Sequence, residues 1–472
     1  MKRITRYLLP LMIVFSLLLT ACGGAATEAP AATSAPATSA PATEAATEAP
    51  AATEAATQAA TEAPGATQAP GGTIECPAGV EGTSIEMWSP FTGPDGDEMT
   101  ALADQFSKEN PCKITVSHVA QPDYVQKLEA AAAAGQLPAM TAVRAINVGQ
   151  LAARNVLKPF SADVMNILGG DAFASDFPAD LWALGEYKGE RYSIPLDVNP
   201  LVMFYNKDLF EKAGIEPPGK EPWTREQFED ALKKLEAIKV TPVSLGTAFQ
   251  AAALWQALVR QYGGELTDPE GKTATYNSDA GVKALEKIKE LRDKYTPDVS
   301  GTGDPEVNVF KQGNVGMTFH GPWWISDLAK LDFVGFAPLP TIGDQPATWG
   351  GSHQLALTTD DATAQAAAAV WIRWLSDNSE QWAKAGQVPA RTSAREDPNL
   401  PTIAPPIADI IESANTVKIL PPVPALEPAL WDQFGAAIDA YLAGDEPDAK
   451  AALDKANAKS QQVMDENVST FE

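Results

Sequence analysis

Tyr205-Asn206-Lys207-Asp208-Leu209-Phe210-Glu211-Lys212-Ala213-Gly214-Ile215, followed by Pro217-Pro218 and Trp223-Thr224, is the stretch whose reading decides the fold. Asn206-Lys207-Asp208 stands where an apolar strand hands over to a helix, and the Asp208 carboxylate suits the positive end of that helix's dipole. Pro217-Pro218 sets a rigid link. Thr224-Arg225-Glu226-Gln227 then reads as a capping box, opening a helix in which Phe228, Leu232 and Leu235 share a face. The same handover recurs on both sides. Ser84 to Trp88 alternates like a strand and runs into the turn-rich Ser89–Gly96, after which Met99, Leu102, Ala103 and Phe106 fall on one helical face. Lys113–Val119 reads as a strand, and Asp123–Ala134 as a helix ended by Gly135. Ser278–Tyr295 is amphipathic, with Val282, Leu285, Ile288 and Leu291 on its buried side, and Gly313–Phe319 is a short glycine-rich strand. Alternation on this scale predicts an α/β protein with mostly parallel sheets.

Far upstream, Lys2, Arg3 and Arg6 precede an apolar run from Tyr7 to Leu19. That run falls short of the about 20 apolar residues a spanning helix needs, and its flanks read as a secretory signal over residues 1–21. Leu19-Thr20-Ala21-Cys22 resembles the bacterial lipobox, which implies cleavage before Cys22 and a lipid on its thiol; the alternative is an ordinary signal with an accidental cysteine. Two acyl chains make a stable membrane anchor. Ala25 to Gly72 is almost wholly Ala, Thr, Pro, Ser and Glu, without aromatic, large aliphatic or basic residues. Such a segment cannot offset the entropy of ordering, so residues 22–72 are expected to be a disordered, extended spacer.

The chain carries 35 basic and 61 acidic side chains, a net of −26, and removing the three basic and five acidic groups of residues 1–72 leaves −24. Such a surface repels nucleic acid and anionic lipid, so neither is an expected partner. Beyond the anchor only Cys76 and Cys112 remain. In an exported chain they are read as one disulfide, with a pair of buried free thiols as the alternative.

Tyr192-Ser193-Ile194-Pro195, the Tyr205–Ile215 stretch, Phe310-Lys311-Gln312-Gly313-Asn314-Val315-Gly316-Met317, Gly321-Pro322-Trp323-Trp324 and Gly350-Gly351-Ser352 together resemble the family 1 extracellular solute-binding proteins. The resemblance implies a periplasmic-binding-protein-like fold, with two α/β lobes joined by crossing hinge strands and a ligand cleft between them. By analogy, lobe one holds 73–192 and 352–395, and lobe two holds 193–351 and 396–472.

A sugar site needs aromatic platforms for C–H faces and planar hydrogen-bonding groups for hydroxyls. Trp88, Phe91, Trp323, Trp324, Trp349 and Trp431 stand in loops after strands, or near such loops, and are candidates. Trp323 and Trp431 fall at or near sugar-stacking tryptophans of the family's maltose-binding members. Asn199 and Gln250 fall where those members carry acids, and Arg144 and Asn147 occupy a segment where they carry a tryptophan and an Asp-Arg pair. Asp197, Gly351, Ser352 and His353 complete the candidate set. These exchanges of carboxylate for amide argue against assuming a maltose-like ligand. For each tryptophan the competing role is core packing; Trp371, Trp374 and Trp382, on the helical stretch 362–385, are read as structural.

No catalytic constellation is found. His118, His320 and His353 are far apart with no second ligand at helical spacing, so no metal site is signalled. Gly271-Lys272-Thr273 lacks the first glycine of a phosphate loop, Leu266 standing in its place, and no cofactor is expected. The resemblance implies the extracytoplasmic sugar-capturing subunit of an ABC importer, membrane-anchored, monomeric and delivering to permease subunits. Alternatives are a binder of another small polar solute (glycerol-phosphate or polyamine type), a sensing receptor, or a secreted glycoside hydrolase. Mass spectrometry of the wild-type protein should find acyl groups on Cys22, and Cys22→Ser should abolish them; a wild type without lipid removes the anchor.

Overall fold

The computed structural model describes residues 75–471 apart from 297, 298 and 300–302. The signal segment, Cys22 and the spacer lie outside the described residues.

In the first sheet, β1 (Ser84–Ser89) lies between β2 (Thr115–Ala120) and β3 (Met140–Arg144), all parallel. Ile85 and Met87 alternate inward while Ser84 and Glu86 face out, because one side of β1 faces a core that it shares with α1 (Pro94–Glu109). That helix buries Met99, Leu102, Ala103 and Phe106. α2 (Tyr124–Ala134) stops at Gly135, whose left-handed φ of 67° suits glycine. α3 (Ala145–Ala153) follows β3 without a break. A hairpin of β4 (Glu186–Tyr187) and β5 (Glu190–Arg191) leads to β6 (Ser193–Pro195). β6 joins the first sheet through β13 (His353–Leu357), which also pairs antiparallel with β3.

The second sheet has the order β11 (Val334–Pro338), β8 (Val202–Asn206), β10 (Val315–His320), β9 (Thr241–Ser244). Here the deciding stretch takes the expected form. Asn206 caps α4 (Lys207–Ala213) by accepting from Leu209 N at 3.0 Å, and its Nδ2 donates to Gly313 O at 3.1 Å. Tyr205, Phe210 and Trp223 stack in sequence, the planes of Phe210 and Trp223 being parallel to within 8°. Thr224 and Gln227 form the reciprocal box at the start of α5 (Arg225–Ala237). α6 (Ala248–Gln261) is almost wholly buried, and α7 (Asp279–Tyr295) is capped by Ser278. Val282 on α7 is only half-buried, the inner face being held by Ala284, Leu285, Ile288 and Leu291. α8 (Ala362–Asp377) buries Trp371 against Phe106, so that tryptophan is structural as expected. α9 (Leu426–Ala443) and α10 (Ala449–Phe471) pack on the second lobe's core.

The sheets are mixed, not mostly parallel. β7 (Asp197–Pro200) carries the chain from the first sheet to the second, and β12 (Thr348–Gly351) carries it back. Strands that cross in opposite senses must pair antiparallel, as Gly350 with Pro200 and Gly351 with Asn199 do. β14 (Val388–Pro389) flanks β7 and β15 (Val417–Lys418) flanks β12, completing a hinge sheet. β6 still pairs within the first sheet, and the next strand, β7, begins the hinge sheet at Asp197.

A disulfide joins Cys76 to Cys112 across 36 residues, with Cα atoms 5.3 Å apart. Closing a loop of that length is worth about 3–4 kcal/mol on loop entropy alone. Both thiols should resist labelling in the folded protein until reductant is added, and reduction should lower the melting temperature. Rapid labelling without reductant would show the bond absent.

Candidate functional site

Between the lobes lies a cavity of about 530 Å³. Its walls come from strand ends and the loops that follow them: the Pro90–Asp95 loop after β1, Arg144 at the end of β3, and the Trp323–Trp324 turn after β10. The hinge supplies Asn199, Trp349–His353 and Lys418–Leu420; Phe249 and Gln256 come from α6, and Glu427 and Trp431 from α9.

One wall is aromatic. Phe249 lies nearly parallel to Trp431 at 5.6 Å, meets Trp349 edge-on at 5.3 Å, and lies 5.7 Å from Trp323. All four rings are half-buried, each leaving part of its surface open. Two local devices aim them. Ala248 sits in the left-handed region at φ 48°, costly for a residue with a Cβ, and its N–H is held by Asp439 Oδ1 at 3.0 Å. At Gly321 a Cβ would overlap the Trp323 ring, so only glycine lets that indole fold back over its own turn.

The rest of the lining is polar. Asp95 accepts from Gln387 Nε2 at 2.9 Å. Burial pushes its carboxyl up to about 7, with His353 opposing, Asp197 adding to the rise, and the Gln387 hydrogen bond opposing. Arg144 forms an ion pair with Glu427, whose carboxyl is raised by burial against the pull of Arg144. Asn199 Oδ1, Gln387 Oε1 and Gln256 Nε2 are buried and find no partner among the described residues. The amides of Asn199 and Gln387 are oriented, since their NH₂ groups already donate to Asp197 and Asp95.

Phe91, Arg144, Asn199, Trp323, Trp324, Trp349, Gly351, Ser352, His353 and Trp431 line the cavity. Four expected residues do not. Trp88 packs on a small separate core and donates to Glu86 at 2.6 Å, because strand alternation turns it away from the face that holds Met87. Asn147 is buried in α3, accepting from the Tyr124 hydroxyl. Asp197 is fully buried beneath the floor, accepting from His353 N at 2.8 Å and Trp382 Nε1 at 2.9 Å. Gln250 is consumed by Gly246 N and Phe319 O, while Gln256 on the same helix reaches the cavity. Asp95, Phe249, Gln387 and Glu427 were not foreseen. Asp95 lay within the turn-rich loop already singled out; the others carry no local signal.

Asp304, Glu306 and His320 come close enough to suggest a cation site. The ring's protonation argues otherwise. Gly321 N donates to His320 Nδ1 at 2.9 Å, which leaves the proton on Nε2. Nε2 lies 3.3 Å from Asp304 Oδ1 and 3.4 Å from Glu306 Oε1, out of hydrogen-bonding alignment with both. With Trp324 Nε1 donating to Asp304 Oδ2 at 2.9 Å, the group braces the turn that carries Trp323.

Two mixed-sheet lobes joined by a strand hinge, with a cleft lined from both sides, make up the architecture around the cavity. Residues 101–405 match the bacterial extracellular solute-binding protein family, and the chain belongs to it. It is a solute-binding protein of the ABC-importer type. The chain is 26% identical over 341 residues to the sn-glycerol-3-phosphate-binding periplasmic protein UgpB of Pectobacterium atrosepticum, covering 66% of this chain and 74% of that one. The Escherichia coli K12 protein of the same name is 26% identical over 336 residues, covering 66% and 75%. The fold matches the cyclic α-maltosyl-1,6-maltose binding protein from Arthrobacter globiformis at TM-score 0.68 and 24% identity, covering 81% of this chain and 99% of that one. It also matches the sugar-binding MalE of Xanthomonas citri at TM-score 0.70 and 20% identity, covering 82% and 99%.

The Asp95 shift has a sign. Its folded carboxyl titrates near 7 and its unfolded one near about 3.9. The stability it contributes is therefore complete below the unfolded value and lost as pH rises through 7. The melting temperature of Asp95→Asn, relative to wild type, should rise steadily from pH 4 to pH 8. An offset that does not vary with pH would show Asp95 to be an ordinary solvated carboxylate.

Proposed function

We propose that this chain captures a carbohydrate, mono- or oligosaccharide, by closing its lobes around it, and delivers it to a membrane permease. The aromatic wall, with unpartnered amides in the same cavity, supports this reading most directly. Sugar C–H faces stack on indole and phenyl rings. Hydroxyls both donate and accept, so one ligand can serve Asn199 Oδ1, Gln387 Oε1 and Gln256 Nε2 together.

Glycerol phosphate, which the UgpB relatives are named for, is the second reading. Its phosphate is anionic, and the cavity lining holds three carboxyl groups, Asp95, Asp327 and Glu427, beside two cations, Lys418 and Arg144, the latter paired with Glu427. Those charges favour a neutral ligand. A micromolar site needs about −8 kcal/mol net, within reach of stacked rings and a few buried hydrogen bonds.

In the same reading, lobe one comprises 75–195 with 352–395, and lobe two comprises 196–351 with 396–471. The molecule acts as a monomer, tethered through Cys22 at the extracytoplasmic face, and binds without turnover; the family's binding proteins support that assignment.

Calorimetry with a panel of neutral oligosaccharides and with glycerol 3-phosphate tests the reading. Trp323→Ala should weaken sugar binding roughly a hundredfold, about 3 kcal/mol from lost stacking and buried indole area, while leaving the fold intact. A folded Trp323→Ala with unchanged affinity returns that tryptophan to a packing role. Binding of glycerol 3-phosphate but of no sugar overturns the carbohydrate assignment.

A further inference from the structure

A second interlobe contact lies outside the cavity. α3 belongs to the first lobe, where Val148 and Leu151 enter its smaller core. Opposite it runs Pro421-Pro422-Val423-Pro424, which leads into α9, with Val423 packed on the second lobe's core. The two surfaces meet at Gly149. A Cβ there would overlap the Pro422 carbonyl oxygen and would lie 3.2 Å from Pro424 Cδ. Both ends of the contact are pinned across the lobes: Arg144 pairs with Glu427, and Lys188 Nζ donates to Phe471 O at 3.4 Å.

We propose that this seam is the closure stop of the cleft, and that Gly149 sets ligand affinity without touching the ligand. Inside a helix, glycine is a poor choice beside alanine, so nothing in α3 itself calls for it. The approach of Pro422 does. The facing segment cannot yield easily, because its prolines fix their own φ. The contact exists only when the lobes are together, so whatever it contributes is differential between the open and closed states, and only such terms move the equilibrium. A side chain at 149 holds the lobes apart and charges every ligand for it.

The inference rests on capture by cleft closure, and the test separates the two. Spin labels at Gln126→Cys on α2 and Lys459→Cys on α10 report the lobe separation in the full chain, with and without maltotriose. Gly149→Ala should keep or raise the melting temperature, since the helix gains, yet lose the short-separation population. Maltotriose affinity should fall about tenfold, in proportion to the closed fraction. Gly149→Val should do both more strongly, whereas Gly219→Val, where a Cβ meets nothing within 4 Å, should change neither reading. A Gly149→Ala protein with the wild-type separation distribution overturns the stop, whatever it binds. If wild type closes on no sugar while Gly149→Ala still shifts the distribution, the ligand assignment fails and the seam stands.

Discussion

The hinge depends on one buried carboxylate. Asp197, fully buried, accepts from the His353 backbone, the Trp382 indole and the Asn199 amide, and lies 2.9 Å from His353 Nδ1. These groups arrive from β7, β13 and the helical turn after α8. Taking a carboxylate out of water costs several kcal/mol unless donors converge on it, so the three segments must be assembled together or not at all. Asp197 is the point at which the outgoing strand, the returning strand and the first lobe's last helices are locked in register. The antiparallel pairing of Gly350 and Gly351 with Pro200 and Asn199 follows from that lock. So does the floor of the cavity, since Asn199 and His353 stand on it.

The aromatic wall is the complementary device. Phe249, Trp323, Trp349 and Trp431 come from a helix start, a tight turn, a hinge strand and a distant helix, and no two are neighbours in sequence. Each ring is steadied by the others, so the wall is a small cluster with one face left open. Strain is concentrated beside it: Ala248 precedes Phe249 and Ala425 precedes α9, and both hold left-handed backbone. Backbone held in such conformations costs about 1–3 kcal/mol each and persists where surrounding structure over-determines it. At Ala248 the Asp439 carboxylate does so.

What the sequence disclosed divides along the same line. Local chemistry was legible: the Asn206 cap, the Thr224 box, the Gly135 stop and the burial of Met99, Leu102, Ala103 and Phe106 all follow from neighbours within one or two turns. Trp323, singled out through the family's Gly-Pro-Trp turn, does line the cavity. Strand direction was not legible, since strand-helix alternation carries no record of which strands recross a hinge. Gln250 is singled out by the family resemblance, and position along the chain does not say that Gln256 is the residue of that buried helix that reaches the cavity. Asp197 was taken for a cleft residue because nothing in its neighbours reveals a tryptophan 185 residues away that consumes its oxygen. Gln387 and Glu427 meet Asp95 and Arg144 only through the folded topology.

The unpartnered amides explain how such a cleft can be responsive as well as selective. Asn199 lies in the hinge, Gln387 beside the first lobe's Asp95 loop, and Gln256 in the second lobe. With the lobes apart, water can serve all three. Closure removes that water, and a buried amide left without a partner costs about 1–3 kcal/mol. A ligand with correctly placed hydroxyls removes that penalty in the closed state and gains little from these groups in the open one. In the proposed reading, the coupling between occupancy and closure comes from polar atoms without a partner among the described residues, while the aromatic wall supplies affinity. A purely apolar cleft would close empty as readily as full, and a cleft with every amide satisfied internally would have nothing to distinguish a sugar from the water it displaces.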